Sequence, residues 1–155
     1  MATKKSARSK VPSTTKKIAV ILVRGTVRAP HFVPATLEKL NLHRVNHAVV
    51  ISGTPALMGM VVKVKDYVTW GEITDETFAE LLRRRGELYQ GRLQDSKKKY
   101  HYHVLKINGK TYKPYFRLNP PTKGFGRKGT KVAYNASGGL GYRGEAINDL
   151  ITRML

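Results

Sequence analysis

"IAVILV" (Ile18–Val23) is six apolar residues without a polar interruption. A strand with one wet face alternates apolar and polar residues, so an uninterrupted run marks a strand covered on both sides or lying at the centre of a sheet. The segment is read as the central strand. After it, Pro34 suits the first turn of a helix, Leu37 and Leu40 share one face of "PATLEKLN", and Asn41 is available as the C-terminal stop. "HAVVIS" (His47–Ser52) is a second, β-branched strand. Thr54-Pro55 then offers a hydroxyl cap followed by proline at the first helical position. Periodicity leaves the next stretch, "ALMGMVVKV", open: Leu57, Met60, Val61 and Val64 have helical spacing, while the valines and Gly59 suit a strand. "DYVTW" (Asp66–Trp70) is a third strand, closed by Gly71.

Thr74 caps a well-marked helix. Asp75 and Glu76 complement its positive N-terminal end, Phe78, Leu81 and Leu82 form its buried face, and Arg83, Arg84 and Arg85 precede the stop at Gly86. From Tyr100 to Arg117 the chain alternates around Asn108-Gly109, the signature of a hairpin of two short basic strands. The last helix spans Glu145–Met154, with Ile147, Leu150, Ile151 and Leu155 at helical spacing, and is expected to dock on the main domain.

A chain of 155 residues holds one domain with a real core plus extensions. Its 29 Lys and Arg against 10 Asp and Glu give a formal charge of +19, which points to a polyanionic partner, and nucleic acid leads. No apolar run approaches the roughly 20 residues of a spanning helix, and "MATKKSARSKVPSTTKK" lacks the apolar centre of a signal peptide. A cytoplasmic protein with no membrane partner is expected. The absence of cysteine excludes disulfides, thiolate zinc sites and cysteine nucleophiles. The charge is unevenly spread. Residues 1–16 form a basic arm without an acid, read as flexible until a partner orders it. Residues 66–95 hold seven of the ten acids, and residues 96–144 carry twelve Lys and Arg and no acid. That acid-free block is the strongest functional signal in the chain.

Inside it, Gly124, Gly126 and Gly129 make a G-x-G-x-x-G. The dinucleotide fingerprint needs a strand before its glycines and a helix directly behind them. Here Pro120, Pro121 and Lys123 precede, and "TKVAY" follows as extended chain. Glycine, proline and cations without bulky apolar residues read instead as a tail shaped by folded RNA, expected to stay disordered alone over Pro120–Gly144. No cofactor and no small-molecule substrate are called for. Neither His43 with His47 nor His101 with His103 has a nearby third ligand, and the carboxylates do not converge as an acid/base pair. Trp70 reads as core, while Tyr100, Tyr102, Tyr112, Tyr115 and Tyr142, interleaved with cations, are candidates for stacking on bases.

Several stretches carry a family resemblance: "RGTV" (Arg24–Val27), "LHRVNHAVV" (Leu42–Val50), "TPALMGMVVKVKDYVTWGEI" (Thr54–Ile73), "LLRRRG" (Leu81–Gly86) and "GEAINDLITRML" (Gly144–Leu155). In this order they resemble the large-subunit ribosomal protein L-thirty family in its long archaeal form, related to eukaryotic L-seven. The resemblance covers roughly residues 17–91 and 114–155. It implies an α+β fold, ferredoxin-like, with a βαβαβ core: a small antiparallel sheet, the first strand central, two helices on one face, and a C-terminal basic extension. It makes Thr54–Lys65 helical. The expected divisions are an arm at 1–16, the core and following helix at 17–91, and an extension at 92–155 whose last helix docks on the core.

The resemblance also implies binding to large-subunit ribosomal RNA, near the 5S RNA, among neighbouring ribosomal proteins. The loop after the first strand brings Arg24 and Arg28, and the start of the second strand Arg44, Asn46 and His47. The glycine-rich approach to the last helix puts Tyr142 and Arg143 near RNA. Lys63, Lys123, Arg127, Lys128 and Lys131 complete the expected phosphate-facing set. The chain departs from the pattern at about 92–112, where "KKKYHYHVLKINGKTY" replaces a helical insert. The expected function is that of a non-enzymatic structural constituent of the large subunit. An RNA-modifying enzyme or another nucleic-acid-binding protein is the alternative, the first lacking a nucleophile, metal set or cofactor loop, and a DNA-binding regulator lacking a helix-turn-helix.

Overall fold

The central-strand reading of Ile18–Val23 holds in the computed structural model, which describes residues 16–155. The arm expected at 1–16 lies, except for Lys16, outside the described residues. Strand β1 (Lys17–Leu22) sits between β2 (His47–Ser52) and β3 (Val68–Glu72) and is antiparallel to both. Because side chains alternate across a strand, Ala19 and Ile21 enter one hydrophobic cluster while Val20 and Leu22 enter another. Both faces are covered, as the unbroken run requires.

Helices α1 (Phe32–Lys39) and α2 (Pro55–Lys63) cover the face of Val20 and Leu22, contributing Val33, Leu37 and Val61 to its core. Asn41 ends the first of these turns at φ 60°, a left-handed conformation that asparagine tolerates. The valine-rich stretch after Pro55 is helix, because Val61 and Val64 both reach the sheet from one side. The opposite face carries α3 (Asp75–Arg85) and α4 (Ile147–Met154), with Leu81, Ile147, Leu150, Ile151 and Met154 packed on Ala19, Ile21 and Ala48. Thr74 Oγ accepts the Thr77 N–H at 3.3 Å and caps α3 as expected.

Strand β3 begins at Val68 rather than Asp66. The N–H of Tyr67 donates to Val64 O, closing α2 with a turn, and Tyr67 O then accepts both Val23 N–H and Arg24 N–H at 3.0 Å. Asn108 (φ 48°) and Gly109 (φ 75°) turn a hairpin of β4 (Leu105–Ile107) and β5 (Lys110–Tyr112).

Two strands of two residues each finish the main sheet at its edges: β6 (Phe116–Arg117) beside β2, and β7 (Gly141–Tyr142), parallel to β3. The C-terminal part of the chain is thus woven into the sheet. Phe116, Leu118, Leu140 and α4 all enter the buried core. In the structure Pro120–Gly144, read from composition as disordered without RNA, follows a hydrogen-bonded course. Lys128 N–H donates to Ser137 O, Gly129 N–H to Gly126 O, Gly138 N–H to Ala133 O and Gly139 N–H to Val132 O, all at 2.9–3.2 Å. The glycines serve a close approach of the chain to itself: a Cβ on Gly126 would lie 2.4 Å from Gly138 O, and one on Gly138 would lie 2.1 Å from Val132 O.

Candidate nucleic-acid interface

The strand directions gather residues that are far apart in sequence. Since β2 and β3 run antiparallel to β1, both begin at the end of the sheet where β1 stops, and β7, parallel to β3, begins there too. Strand β6 finishes at the same end, where Leu118 N–H donates to Asn46 O and Asn46 N–H to Leu22 O. Arg24 and Arg28 follow β1, Arg44 and Asn46 precede β2, and Lys63 and Lys65 lead from α2 into β3. Arg24, Arg28, Arg44, Lys63 and Lys65 are exposed, and among the described residues none of them meets a carboxylate. Two are steadied by aromatic faces instead: the Arg24 guanidinium lies 5.4 Å from the centre of the Tyr67 ring, and Lys63 Nζ 5.4 Å from that of Phe32. Ordered cations without a counter-charge suit a surface that meets phosphates.

His47 takes a different role from the exposed cations around it. It is 9% exposed and stacks on Tyr115 with the rings 5.1 Å apart and 6° from parallel. Burial, followed by the nearby Arg117, His43 and Arg44, pushes its pKa below the ordinary 6.5. The imidazole is thereby held neutral, and it supports the surface through Tyr115. Arg117 is tied to Glu87, which also accepts from Lys113 at 2.5 Å; the Lys113 hydrogen bond holds the Glu87 carboxyl below its usual range.

Arg143 is a correction. Although it belongs to the acid-free block, its side chain is buried inside the glycine-rich segment and does not face solvent. Its guanidinium donates to Phe125 O at 2.6 Å, Gly139 O at 3.2 Å and Thr69 Oγ1 at 2.9 Å, and lies 4.5 Å from the centre of the Tyr134 ring. Burial lowers its pKa. It binds the protein's own carbonyls, joining the Gly124–Gly139 turns to β3. Arg153 does the same from α4, donating to Thr122 O and Gly124 O at 3.0 Å. With their carbonyls drawn inward, these turns leave Lys123, Arg127, Lys128 and Lys131 exposed. Lys131 shares a cleft with Arg24 and thus joins the sheet end, whereas Lys123 and Arg127 line a neighbouring hollow with Arg153 and Asp149.

Tyr142 is half exposed on β7, and its hydroxyl donates to Glu72 Oε2 at 3.2 Å, which raises the phenol's pKa. Trp70, expected in the core, is buried there. Lys65 and Tyr67 were not singled out by sequence. Reading "DYVTW" as strand placed Tyr67 inside an element, and only the turn that closes α2 brings it under Arg24.

The family model described as Ribosomal protein L30p/L7e matches residues 18–68, which hold β1 from its second residue, α1, β2 and α2 and run to the first residue of β3. A protein of Nanoarchaeum equitans named large ribosomal subunit protein uL30 is 42% identical over 157 residues, covering 88% of this chain and 97% of its own. Proteins of the same name from Methanococcus maripaludis (40% over 151 residues, 88% and 98%) and Methanopyrus kandleri (41% over 149 residues, 86% and 100%) are similar along nearly their whole lengths.

Proposed function

The chain belongs to the ribosomal protein L30p/L7e family, structural and non-enzymatic constituents of the large ribosomal subunit, and from that premise we propose that the end of the sheet where β1 stops is laid against ribosomal RNA. The observation that carries the reading is the convergence of Arg24, Arg28, Arg44, Lys63 and Lys65, exposed and, among the described residues, unmatched by carboxylates, on one end. Lys131 extends the surface across the cleft it shares with Arg24. Lys123, Arg127 and Lys128 carry it onto the folded glycine-rich turns. Tyr142 supplies an aromatic face, and Asn46, His47 and Arg143 hold the surface in shape from behind. Binding works by phosphate neutralisation on a rigid scaffold, so RNA shape and not base sequence selects the site. The neighbourhood of the 5S RNA is part of the proposal, supported by the likeness to the long archaeal form.

The test uses large-subunit ribosomal RNA and the salt dependence of its binding. Each phosphate contact contributes about 0.7–0.9 to the slope of log K against log salt, so replacing Arg24 and Arg28 with Ala is expected to reduce the slope by roughly 1–2. Thermal stability should hold, because both side chains lie in an exposed loop. Leu81→Ala, by contrast, should cost about 2–5 kcal/mol of stability, since that side chain is fully buried. An unchanged slope in the arginine variant would remove the sheet end from the binding surface.

A further inference from the structure

Beside the sheet end, a cleft of about 560 Å³ is lined by Arg24, Lys65, Tyr67, Trp70, Lys131 and Tyr142 among others. This lies within the roughly 300–1,000 Å³ typical of small-ligand sites. Its wall is aromatic, with Tyr142 and Trp70 6.4 Å apart at 47°, and its charge is three cations against Asp66 alone. The Tyr142 ring is half exposed and tethered at its hydroxyl to Glu72, so a flat face is held ready without being buried. At Gly141, next to it, φ is +85° and a Cβ would meet nothing within 4 Å, which leaves room over the edge strand. A second cleft at the opposite end, lined by Lys16, Lys17, Glu72, Asp75 and Glu145, sets three carboxylates against two lysines and lacks the cationic excess of the first. The two clefts are therefore suited to different partners.

Resting on the RNA face proposed above, we propose that the Trp70–Tyr142 cleft receives one unstacked nucleotide of the ribosomal RNA. The base lies on the Tyr142 ring, while Arg24, Lys65 and Lys131 take the flanking phosphates. Base–aromatic stacking is tolerant of sequence because every base has a π-face, which matches a protein that reads shape. Asp66 offers an acceptor to the exocyclic amino group of adenine, cytosine or guanine. A protein partner would find little apolar area to bury here, and a duplex would present no free base face to Tyr142.

The single tryptophan of the chain is Trp70, so its fluorescence reports on this cleft alone. The full chain is titrated with a single-stranded RNA hexanucleotide and with an abasic strand of the same length and charge. The expected result is quenching by the first and binding without quenching by the second. Tyr142→Ala should weaken the hexanucleotide about tenfold to a hundredfold, and Tyr142→Phe, which keeps the ring, should bind within about twofold of the unchanged protein. Equal quenching by the abasic strand, or unchanged affinity in Tyr142→Ala, would overturn the nucleotide site. Should Tyr142→Ala bind normally while the Arg24/Arg28 variant loses salt slope on ribosomal RNA, the cleft fails and the RNA face stands. Should neither variant differ from the unchanged protein, both fall.

Discussion

At the scale of single residues, position in the packing decides what a polar side chain does. His47 is held neutral beneath Tyr115 because burial and the charges of Arg117, His43 and Arg44 oppose its protonation. Glu87 opposes them more weakly. A folded-state pKa below the unfolded value means that the unfolded chain binds the proton first as pH falls below about 6.5, so stability drops across that window and is fully present above it. The melting temperature is expected to fall between pH 7.5 and 5.5 and to fall less in His47→Gln. An identical decline in both proteins would show that His47 is not the group responsible. Glu87 does not confuse the measurement, since its carboxyl is held below the ordinary 4.5. Arg143 shows where sequence stops being informative at this scale. In a block of cations without acids it is indistinguishable from Lys131, and only the return of the chain past Thr69 turns it inward to carbonyl oxygens.

Among elements, those with a long pattern were legible and those held by backbone alone were not. The six apolar residues of Ile18–Val23, the Thr74 cap and the spacing of Ile147, Leu150 and Ile151 each predict their element, because burial imposes a period on side chains. Strands β6 and β7 are two residues long, too short to carry a period. The glycine-rich turns lack an apolar face, so composition predicts no structure, yet they close on each other's carbonyls and on Arg143 and Arg153. In the free protein the amides of Gly138, Gly139 and Leu140 should therefore be protected from hydrogen exchange. Gly138→Ala should expose them while β1 and β2 keep their protection, since the added Cβ would sit 2.1 Å from Val132 O. Fast exchange at these amides in the unchanged protein would mean that the segment waits for RNA, as its composition implies.

Taken over the described residues, the molecule is electrically two-ended. Where β1 begins, Lys16 and Lys17 are matched by Glu72 and Asp75, at 3.7 and 2.6 Å, and Glu145 lines the same cleft. Where β1 stops, the exposed cations of the sheet end have no such partners among the described residues. Antiparallel pairing produces this asymmetry by collecting the β1–α1 loop, the approach to β2 and the turn after α2 at one place. The +19 charge is visible in the sequence, but its polarity depends on topology. The most direct test of the account is lysine acetylation of the assembled large subunit against the free protein, read residue by residue by mass spectrometry. Lys63, Lys65 and Lys131 should be reactive in the free chain and shielded in the subunit, with stronger shielding than Lys16 at the acidic end. Equal reactivity of Lys63, Lys65 and Lys131 in the two states would contradict the claim that this end of the sheet meets the RNA.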